Sequence, residues 1–365
     1  MRIMKILLGN DIDRTEWSRL VQNSSTGTWF QTPEAYEFFA SMPELFAPFA
    51  IAVERMNELT NERTLIGVCV GYVTVEKNPV KQFFTRRAII IGGPALADDC
   101  TDEEVIALMS AVKNLPSLQG EELCSIGLPV AVRRTLLGVG FRPIYIETRN
   151  FNDYSRWKGV FAKAGFEYQP HLNFHVDCTD KEAMWERLSD NRKRQVRHTM
   201  SEGVNELMNE GVSEQDVREW YQVLEHLYRT KVKTPLWPVK FFIEAHRQGV
   251  GRYMLVRYEG KIIGGSMTVA DEKAVYEWFE CGLNAQYKDQ YPSVCATYAG
   301  MRYAAENGIA RYDMMGAGEP GVPYGVRDFK AEFGGKKVEH GRFLHIAIPF
   351  LFQIGRMGVK WLRRK

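Results

Sequence analysis

The sequence predicts a two-lobed α/β protein in which each lobe has a mixed, twisted sheet flanked by helices. The chain has 365 residues, more than the roughly 250 to 300 residues at which one hydrophobic core stops growing. Hydrophobic residues make up 45% and charged residues 25% of it, which is typical of folded globular proteins. The second half repeats the order of helix and strand signals of the first half without repeating its sequence. We therefore expect two related lobes.

The first half combines four helices with a series of extended segments. A helix starts after Thr32-Pro33, because proline is favoured in a first helical turn. Thr101 and Glu104 form a capping-box pair, which predicts a helix over 102–114. The other elements are strands at 4–8, 47–54, 65–76, 88–91, 123–127 and 141–148, and helices at 13–21 and 130–138.

The second half gives helices first, then a three-stranded meander, a helix and a strand. Turn signals at 259–260 and 271–272 separate the three strands, and an Asn-Gly pair at 307–308 ends the helix that follows. The predicted elements are helices beginning after Thr179 and Ser189, helices at 213–230, 238–248 and 293–306, and strands at 252–258, 261–270, 274–281 and 310–314. We place the first lobe at 1–160 and the second at 161–345.

A C-terminal amphipathic helix is expected over 346–365. One of its faces carries the apolar residues Leu351, Ile354, Met357 and Trp361, and the opposite face carries the basic residues Arg356, Lys360, Arg363 and Arg364. This pattern fits an interfacial helix attracted to anionic lipid, and it also fits a terminal helix docked on the first lobe. The sequence leaves both interpretations open.

Net charge, cysteine pattern and hydropathy exclude several classes of protein. The formal net charge is only +2, so contacts with RNA or anionic lipid require local basic patches. Six cysteines occur without a CxxC pair, which favours reduced thiols in the core. The sequence has no signal peptide pattern and no apolar run of the roughly 18 to 20 residues that a spanning helix needs. We expect a cytoplasmic protein, in contact with the inner membrane face at most peripherally.

No metal or cofactor is expected. His171 and His175 are four residues apart in a predicted strand, where they share a face but lack further ligands. Binding of the CoA pyrophosphate at a helix N-terminus calls for a glycine-rich loop there, and the segment 283–292, which precedes a predicted helix, has no glycine pair. The glycine pair at 92–93 is interpreted as a tight turn at the end of a strand and not as such a loop. A CoA donor is therefore disfavoured.

Three motifs point to a family. A strand ending in Asp313-Met314-Met315-Gly316 is followed by a loop and by Phe329-Lys330-Ala331-Glu332-Phe333-Gly334, a basic segment at 191–197 precedes Gly203-Val204, and Trp29-Phe30-Gln31 lies near the start. Together they resemble the Fem-type aminoacyltransferases of the GNAT superfamily, which add amino acids to peptidoglycan precursors. The resemblance implies tandem GNAT-like lobes, aminoacyl-tRNA as donor and an amine-bearing precursor as acceptor.

The resemblance assigns catalysis to Lys330. Attack of an amine on an ester carbonyl builds an oxyanion, and a cation fixed about 3 Å away stabilises it. The alternative is a solvated lysine on a helical turn between Phe329 and Phe333. We assign Phe329, Tyr324 and Arg327, the neighbours of Lys330 in the motif, to substrate binding.

A basic cluster on one predicted helix is the candidate RNA contact. Phosphate binding is assigned to four of its residues, Arg192, Lys193, Arg194 and Arg197. A solvated helical face explains the same pattern. Nearby, Arg187 and His198 extend the cluster.

The acceptor assignment departs from the family pattern. Where the family carries a lysine and an arginine for acceptor phosphates, this chain has aromatic residues near Phe38 and Trp237. A lysine of the adjoining segment could substitute, and we assign Lys233. We also assign Trp237, Tyr276 and Trp278 as stacking surfaces for sugar rings, although a core position explains such aromatics as well.

The leading hypothesis is an aminoacyltransferase of cell-wall biogenesis that uses aminoacyl-tRNA. One alternative is a GNAT-like N-acyltransferase that modifies an amino sugar or lipid with another acyl donor. The other is a non-catalytic module that binds glycans or membrane surfaces.

Overall fold

The computed structural model describes residues 2–57, 62–115, 142–201 and 205–364. The chain divides into two compact units, Met1–Pro170 with His340–Lys365, and His171–Glu339. The predicted strand at 123–127 and the predicted helix at 130–138 lie outside the described residues. Across the part that is described, no helix has the length and hydropathy needed to cross a bilayer.

The first unit is built on an eight-stranded sheet in the order β1-β2-β3-β4-β6-β15-β7, with β5 paired to β3. Its strands are β1 (Arg2–Leu8), β2 (Phe46–Asn57), β3 (Arg63–Thr74), β4 (Ala88–Gly92), β5 (Ala95–Leu96), β6 (Tyr145–Asn150), β7 (Glu167–Gln169) and β15 (Arg342–Ile346). Its described helices are α1 (Arg14–Asn23), α2 (Pro33–Ala40), α3 (Pro79–Thr85), α4 (Asp102–Lys113), α5 (Lys158–Lys163) and α12 (Pro349–Arg364).

The central strands of this sheet are buried on both faces, so they read as continuous apolar runs. Cys69 and Val73 of β3 pack with α4 on one face, and Val68 and Val70 pack with α1 on the other. The expected capping box starts α4: the Thr101 hydroxyl accepts from the Glu104 N–H, and the Glu104 carboxylate accepts from the Thr101 N–H.

Gln31, the last residue of the Trp-Phe-Gln motif, cross-links two strands of the first unit. Its side-chain amide donates to the carbonyls of Val70 in β3 (3.0 Å) and Ile91 in β4 (2.8 Å), and its Oε1 accepts from the Val70 N–H (2.7 Å). Gln31 is fully buried. A buried amide whose donors and acceptor are paired stabilises the sheet without a net charge.

The predicted limits of the lobes differ from the two units because a strand near the C-terminus returns to the first sheet. β15 pairs antiparallel with β6 and β7. The Glu147 carboxylate accepts from Arg342 of β15 (2.8 Å) and from Arg149 (2.9 Å). Burial alone would raise the pKa of Glu147, but these two guanidinium groups hold it at about 2. Residues 340–345, predicted in the second lobe, therefore lie in the first unit, and so do residues 161–170.

The second unit has a seven-stranded sheet in the order β14-β8-β13-β12-β11-β10-β9. Its strands are β8 (Leu172–Asp177), β9 (Glu206–Met208), β10 (Arg252–Tyr258), β11 (Lys261–Ala270), β12 (Ala274–Gly282), β13 (Arg311–Gly316) and β14 (Lys336–Glu339). Its described helices are α6 (Lys181–Glu186), α7 (Asp190–Ser201), α8 (Glu214–Leu227), α9 (Val239–Arg247), α10 (Pro292–Glu306) and α11 (Gly325–Ala331).

Both sheets follow the same pairing pattern. Read from β1 in the first sheet and from β9 in the second, the first four strands pair antiparallel, the fourth and fifth strands pair parallel, and the last two strands continue the sheet by antiparallel pairing. We call the parallel pair of strands the parallel step. The parallel step joins β4 to β6 in the first unit and β12 to β13 in the second. The predicted meander is present as β10, β11 and β12. The sequence-based fold class, two lobes with mixed sheets and flanking helices, is confirmed.

Candidate active site

The two strands of the parallel step in the second unit separate after a short paired stretch. β12 and β13 pair from Ala274↔Arg311 to Tyr276↔Asp313. β12 then continues to Gly282 and β13 to Gly316 without pairing to each other. We call the space between 277–282 and 314–316 the strand gap. No strand among the described residues pairs with the backbone N–H and C=O groups that face the gap. These groups therefore need other polar partners.

Lys330 of α11 supplies such a partner on the β13 side. Its Nζ donates to the carbonyl of Gly316 at 2.9 Å and to the carbonyl of Met314. The side chain is only 8% exposed. An ammonium has three donors, and two of them are taken by carbonyls of β13. The alternative interpretation of Lys330 as a solvated surface lysine is wrong.

Two glutamates lie on the β12 side of the gap. A β-bulge in β12, at the register shift opposite Met267 and Thr268, adds a residue between Glu277 and Phe279. Such a bulge interrupts strict alternation, so Glu277 and Glu280, three positions apart, can share one face. Both act electrostatically on Lys330.

Glu277 is a buried carboxylate held by two hydroxyl groups. Its Oε1 accepts from the hydroxyls of Thr297 and Tyr312, each at 2.8 Å. Burial raises its pKa, although Lys330 opposes that shift. Burial likewise lowers the pKa of Lys330, against the pull of Glu277, Asp313 and Glu280. Desolvation therefore moves both groups toward their neutral forms.

Glu280, unlike Glu277, has a buried oxygen, Oε1, that is left without a hydrogen bond among the described residues. Burial, and then the neighbouring Glu277, raises its pKa to about 8. A carboxyl group with a pKa near neutrality can both accept and release a proton.

Asp313, at the point where β13 leaves β12, is a structural carboxylate. Burial would raise its pKa, but His175 on β8 (3.1 Å) and Arg311 hold the pKa below its ordinary value. The expected pair His171 and His175 is thus split, with His175 on Asp313 and His171 near Gly316. No group of three or more metal ligands occurs among the described residues.

Arg192 was assigned to RNA phosphates, and the structure corrects this assignment. Its side chain is buried. Its guanidinium lies 4.7 Å from the ring centre of Phe329 and 5.2 Å from that of Phe333, donates to Gln195 (2.6 Å) and pairs with Glu332 (3.6 Å). Arg192 therefore fixes α11, and through it the position of Lys330.

The small residue that closes the Phe-Lys motif also has a structural cause. Gly334 has φ +74°, and a Cβ there would collide with the carbonyl of Arg187. This close approach requires glycine. Phe329 is half-buried under Arg192, so its assigned contact with substrate would use only the ring face that remains exposed.

Arg327 acts on the loop before α11. It donates to the carbonyls of Ala317 (3.0 Å), Val322 (2.8 Å) and Glu319. These three bonds hold the loop 317–322 in place beside the gap. Its assignment to substrate binding is thus replaced by a positioning role, whereas Tyr324, 43% exposed, is free to contact a ligand.

The remaining basic residues of α7 lie at the surface. Arg194 and Arg197 are exposed, with Arg194 hydrogen-bonded to Asn191 (2.9 Å) and Arg197 stacked on Trp185 (5.2 Å). Lys193 is paired with Glu186 at 2.7 Å. The helix thus has one inward arginine and an outward basic face.

The aromatic residues assigned to sugar stacking separate into two groups. Tyr276 is 0% exposed and donates to Asp271, so it is a core residue and not a stacking surface. Trp237 and Trp278 are half-buried and both pack on Phe241, at 6.2 and 5.3 Å. Lys233 is exposed in the turn between α8 and α9. Phe38 of the first unit lies in the core.

Sequence reasoning missed Glu277 and Glu280. The available signal was two carboxylates inside an otherwise apolar strand, Ala274–Gly282, because a buried strand seldom carries acids without partners. All five cysteines within the described ranges are buried free thiols. Cys124 lies outside those ranges.

The segment from the end of α6 to Lys330 matches a known domain family. Residues 187–330 match the acetyltransferase (GNAT) domain family. This span holds α7, the strand gap and both glutamates. No curated protein sequence matches the chain.

Two solved structures share the whole architecture. The crystal structure of FemX has a TM-score of 0.66 and 13% identity, covering 96% of this chain and 99% of that chain. A tandem GNAT protein from the clavulanic acid biosynthesis pathway has a TM-score of 0.52 and 10% identity, covering 94% of this chain and 98% of that chain. At such identities the likeness establishes the fold. Residues 187–330 thus match an acetyltransferase (GNAT) domain, and the chain has the two-lobed fold of FemX, as its motifs predict.

Proposed function

We propose that this protein transfers an aminoacyl group from aminoacyl-tRNA to an amine of a peptidoglycan precursor. The observation that carries the proposal is the position of Lys330 in the strand gap. Two of its donors are fixed by β13 carbonyls and the third is unassigned. A preorganised cation in a desolvated site stabilises a developing oxyanion without reorganising during the reaction.

The reaction needs one new bond and one broken bond. The acceptor nitrogen attacks the ester carbonyl, a C–N bond forms, and the carbonyl oxygen becomes an oxyanion beside Lys330. Collapse of this intermediate breaks the C–O bond to the tRNA ribose. Glu280 takes the proton that the attacking nitrogen loses and returns it to the leaving oxygen. Its unpartnered Oε1 and its pKa of about 8 suit both steps.

The proposed binding surfaces use the exposed and half-buried residues described above. Lys193, Arg194 and Arg197 on the outward face of α7 would contact RNA phosphates. Trp237, Trp278 and Tyr324 would offer ring surface to the sugar or peptide of the acceptor, with Lys233 in the adjoining turn. The aromatic residue at Trp237, where the Fem-type pattern has an arginine, favours an acceptor bound by stacking over one gripped by its phosphates.

A second candidate is N-acylation of an amino sugar or lipid from a different acyl carrier. The GNAT domain match over 187–330 supports acyl transfer in general. The lack of a glycine-rich loop at 283–292 argues against CoA. The donor therefore decides between the two candidates.

A donor comparison tests the proposal. Purified full-length protein is incubated with charged tRNA, acyl-CoA or acylated carrier protein and with muropeptide precursors, and products are analysed by mass spectrometry. We expect an added aminoacyl residue with charged tRNA only. Transfer from a carrier protein, or from CoA, would reject the tRNA-dependent reaction. Mass spectrometry of wall precursors from cells with and without the gene identifies the amino acid.

A further inference from the structure

The first unit exposes an unusual concentration of apolar side chains on two adjoining helices. α3 and α12 contact each other. Between them, five large apolar side chains are exposed: Val80 (65%), Phe83 (40%), Phe84 (44%), Phe350 (75%) and Met357 (62%). We call these five residues, with Lys81 and Arg356, the apolar-basic patch. Contiguous exposed apolar surface of this kind marks an interaction site.

The structure holds α3 so that its phenylalanines face outward. Asn78 caps the helix by accepting from the N–H groups of Val80 and Lys81. Gln82 is buried and bridges the carbonyl of Thr74 (3.1 Å) and the N–H of Glu76 (2.6 Å). Because Gln82 occupies the inward face, Phe83 and Phe84 are turned outward.

α12 is anchored through a different part of its surface. Leu351 is buried, and Phe352 packs edge-on against Tyr145 of β6 at 5.4 Å. These contacts seat the helix on the first unit and leave Phe350 and Met357 outside. The alternative of a simply docked terminal helix explains Leu351 and Phe352 but not the exposed residues.

Charge identifies the partner. Segment 77–87 contains four basic residues (Lys77, Lys81, Arg86 and Arg87) and no acidic one, although Arg86 is buried and donates to backbone carbonyls. Segment 349–365 contains five (Arg356, Lys360, Arg363, Arg364 and Lys365) and no acidic one. The whole chain has a net charge of only +2, so the remainder of the chain is net negative. A second copy of the same patch would bring like charges together, whereas an anionic bilayer accepts both the cations and the rings.

We propose that the apolar-basic patch docks the protein on an anionic lipid surface. Phe83, Phe84 and Phe350 lie at the level of the headgroups and acyl-chain boundary, and the basic residues contact lipid phosphates. The proposal is independent of the transfer reaction, since it concerns the first unit and is read out by binding alone.

Vesicle co-sedimentation of the full-length protein tests the proposal. Vesicles of pure phosphatidylcholine are compared with vesicles that also contain phosphatidylglycerol. We expect binding to the mixed vesicles, weakened by salt. The double variant Phe84→Ser with Phe350→Ser should bind about tenfold or more weakly, and Lys81→Glu with Arg356→Glu should bind about tenfold or more weakly as well.

The matched control is Met4→Ser with Val322→Ser, since these residues are 44% and 50% exposed but lie outside the patch. Its binding should equal that of the wild type, and circular dichroism verifies the fold of every variant. Absence of wild-type binding to either vesicle would overturn the proposal. So would unchanged binding of both patch variants, or sedimentation velocity showing that the patch variants abolish a dimer in a protein that ignores lipid.

Discussion

The parallel strand pair of the first unit is closed, and that of the second unit is open at one end. β4 and β6 pair without interruption from Ala88↔Ile146 to Gly92↔Asn150. β12 and β13 separate after three register pairs. A closed pair satisfies its own backbone groups, whereas a separated pair needs other polar groups to do so. The same sheet pattern thus gives a closed strand pair in one unit and a gap lined by ionisable side chains in the other.

The two units also differ in the polar side chain that they bury beside this step. In the first unit Gln31, a neutral amide, pairs its donors and its acceptor with β3 and β4. In the second unit Lys330, a cation, uses two of its three donors. A satisfied neutral group serves stability, and an incompletely satisfied charged group is available for chemistry.

Replacing Lys330 should have the largest effect on turnover. Lys330→Ala removes the cation at the oxyanion, and we expect turnover to fall by about two to three orders of magnitude. Steady-state transfer from charged tRNA measures it. Lys261→Ala, at an exposed lysine of the same unit, should retain full turnover. Equal turnover in both variants would remove Lys330 from the mechanism.

Replacing Glu280 should have the next largest effect. Glu280→Gln keeps the shape and removes the proton acceptor, so turnover should fall by about tenfold to a hundredfold. If the variant is as active as the wild type, water and not Glu280 accepts the proton of the attacking amine.

The same variant should change how stability depends on pH. The pKa of Glu280 is raised from 4.5 to about 8 in the folded state, so the unfolded chain ionises first as pH rises. Relative to Glu280→Gln, the wild type should lose on the order of a few kcal/mol of unfolding free energy between about pH 4.5 and 8. Chemical denaturation at several pH values measures this difference, and parallel curves would contradict the assignment.

Gln31→Ala should destabilise the first unit and leave chemistry intact. The change strips hydrogen bonds from Val70 and Ile91 inside the core, at a cost of about 2 kcal/mol. Urea denaturation should show this loss, while turnover per folded molecule is unchanged. A large loss of turnover without a loss of stability would mean that the closed strand pair of the first unit, β4 with β6, also takes part in the reaction.

Glu147→Gln should give the smallest effect and the opposite pH dependence from Glu280→Gln. The wild-type pKa is lowered from 4.5 to about 2, so the stabilisation by Glu147 is present above about pH 4.5 and is lost as pH falls toward 2. We expect a loss of about 1 to 2 kcal/mol at neutral pH, because both arginine partners are partly exposed. Identical stabilities at pH 7 would show that β15 does not depend on this cluster.

Local signals predicted local structure well. The Thr101 capping box and the turn signals of the meander gave α4 and β10 to β12 within a few residues. The sheet to which β15 belongs could not be predicted, because strand pairing across 195 residues leaves no local pattern.

The site was predicted in part for a related reason. The Phe-Lys motif located Lys330, but helical spacing alone could not show that Arg192 faces inward while Arg194 and Arg197 face outward. The ring stack of Arg192 on Phe329 and Phe333 is a tertiary contact. The strand gap could not be predicted from the sequence either, because the bulge in β12 and the end of pairing at Asp313 depend on neighbouring strands.

Chemical rescue tests the central claim, that a fixed ammonium at position 330 stabilises the oxyanion. Lys330→Cys is alkylated under denaturing conditions with 2-bromoethylamine, which rebuilds a lysine-like ammonium, or with a neutral reagent of similar size, and is then refolded. Wild type treated in the same way controls for alkylation of the six native cysteines. Our account predicts that only the ammonium adduct regains most of the lost turnover. Equal recovery with the neutral adduct, or none with the ammonium, would contradict it.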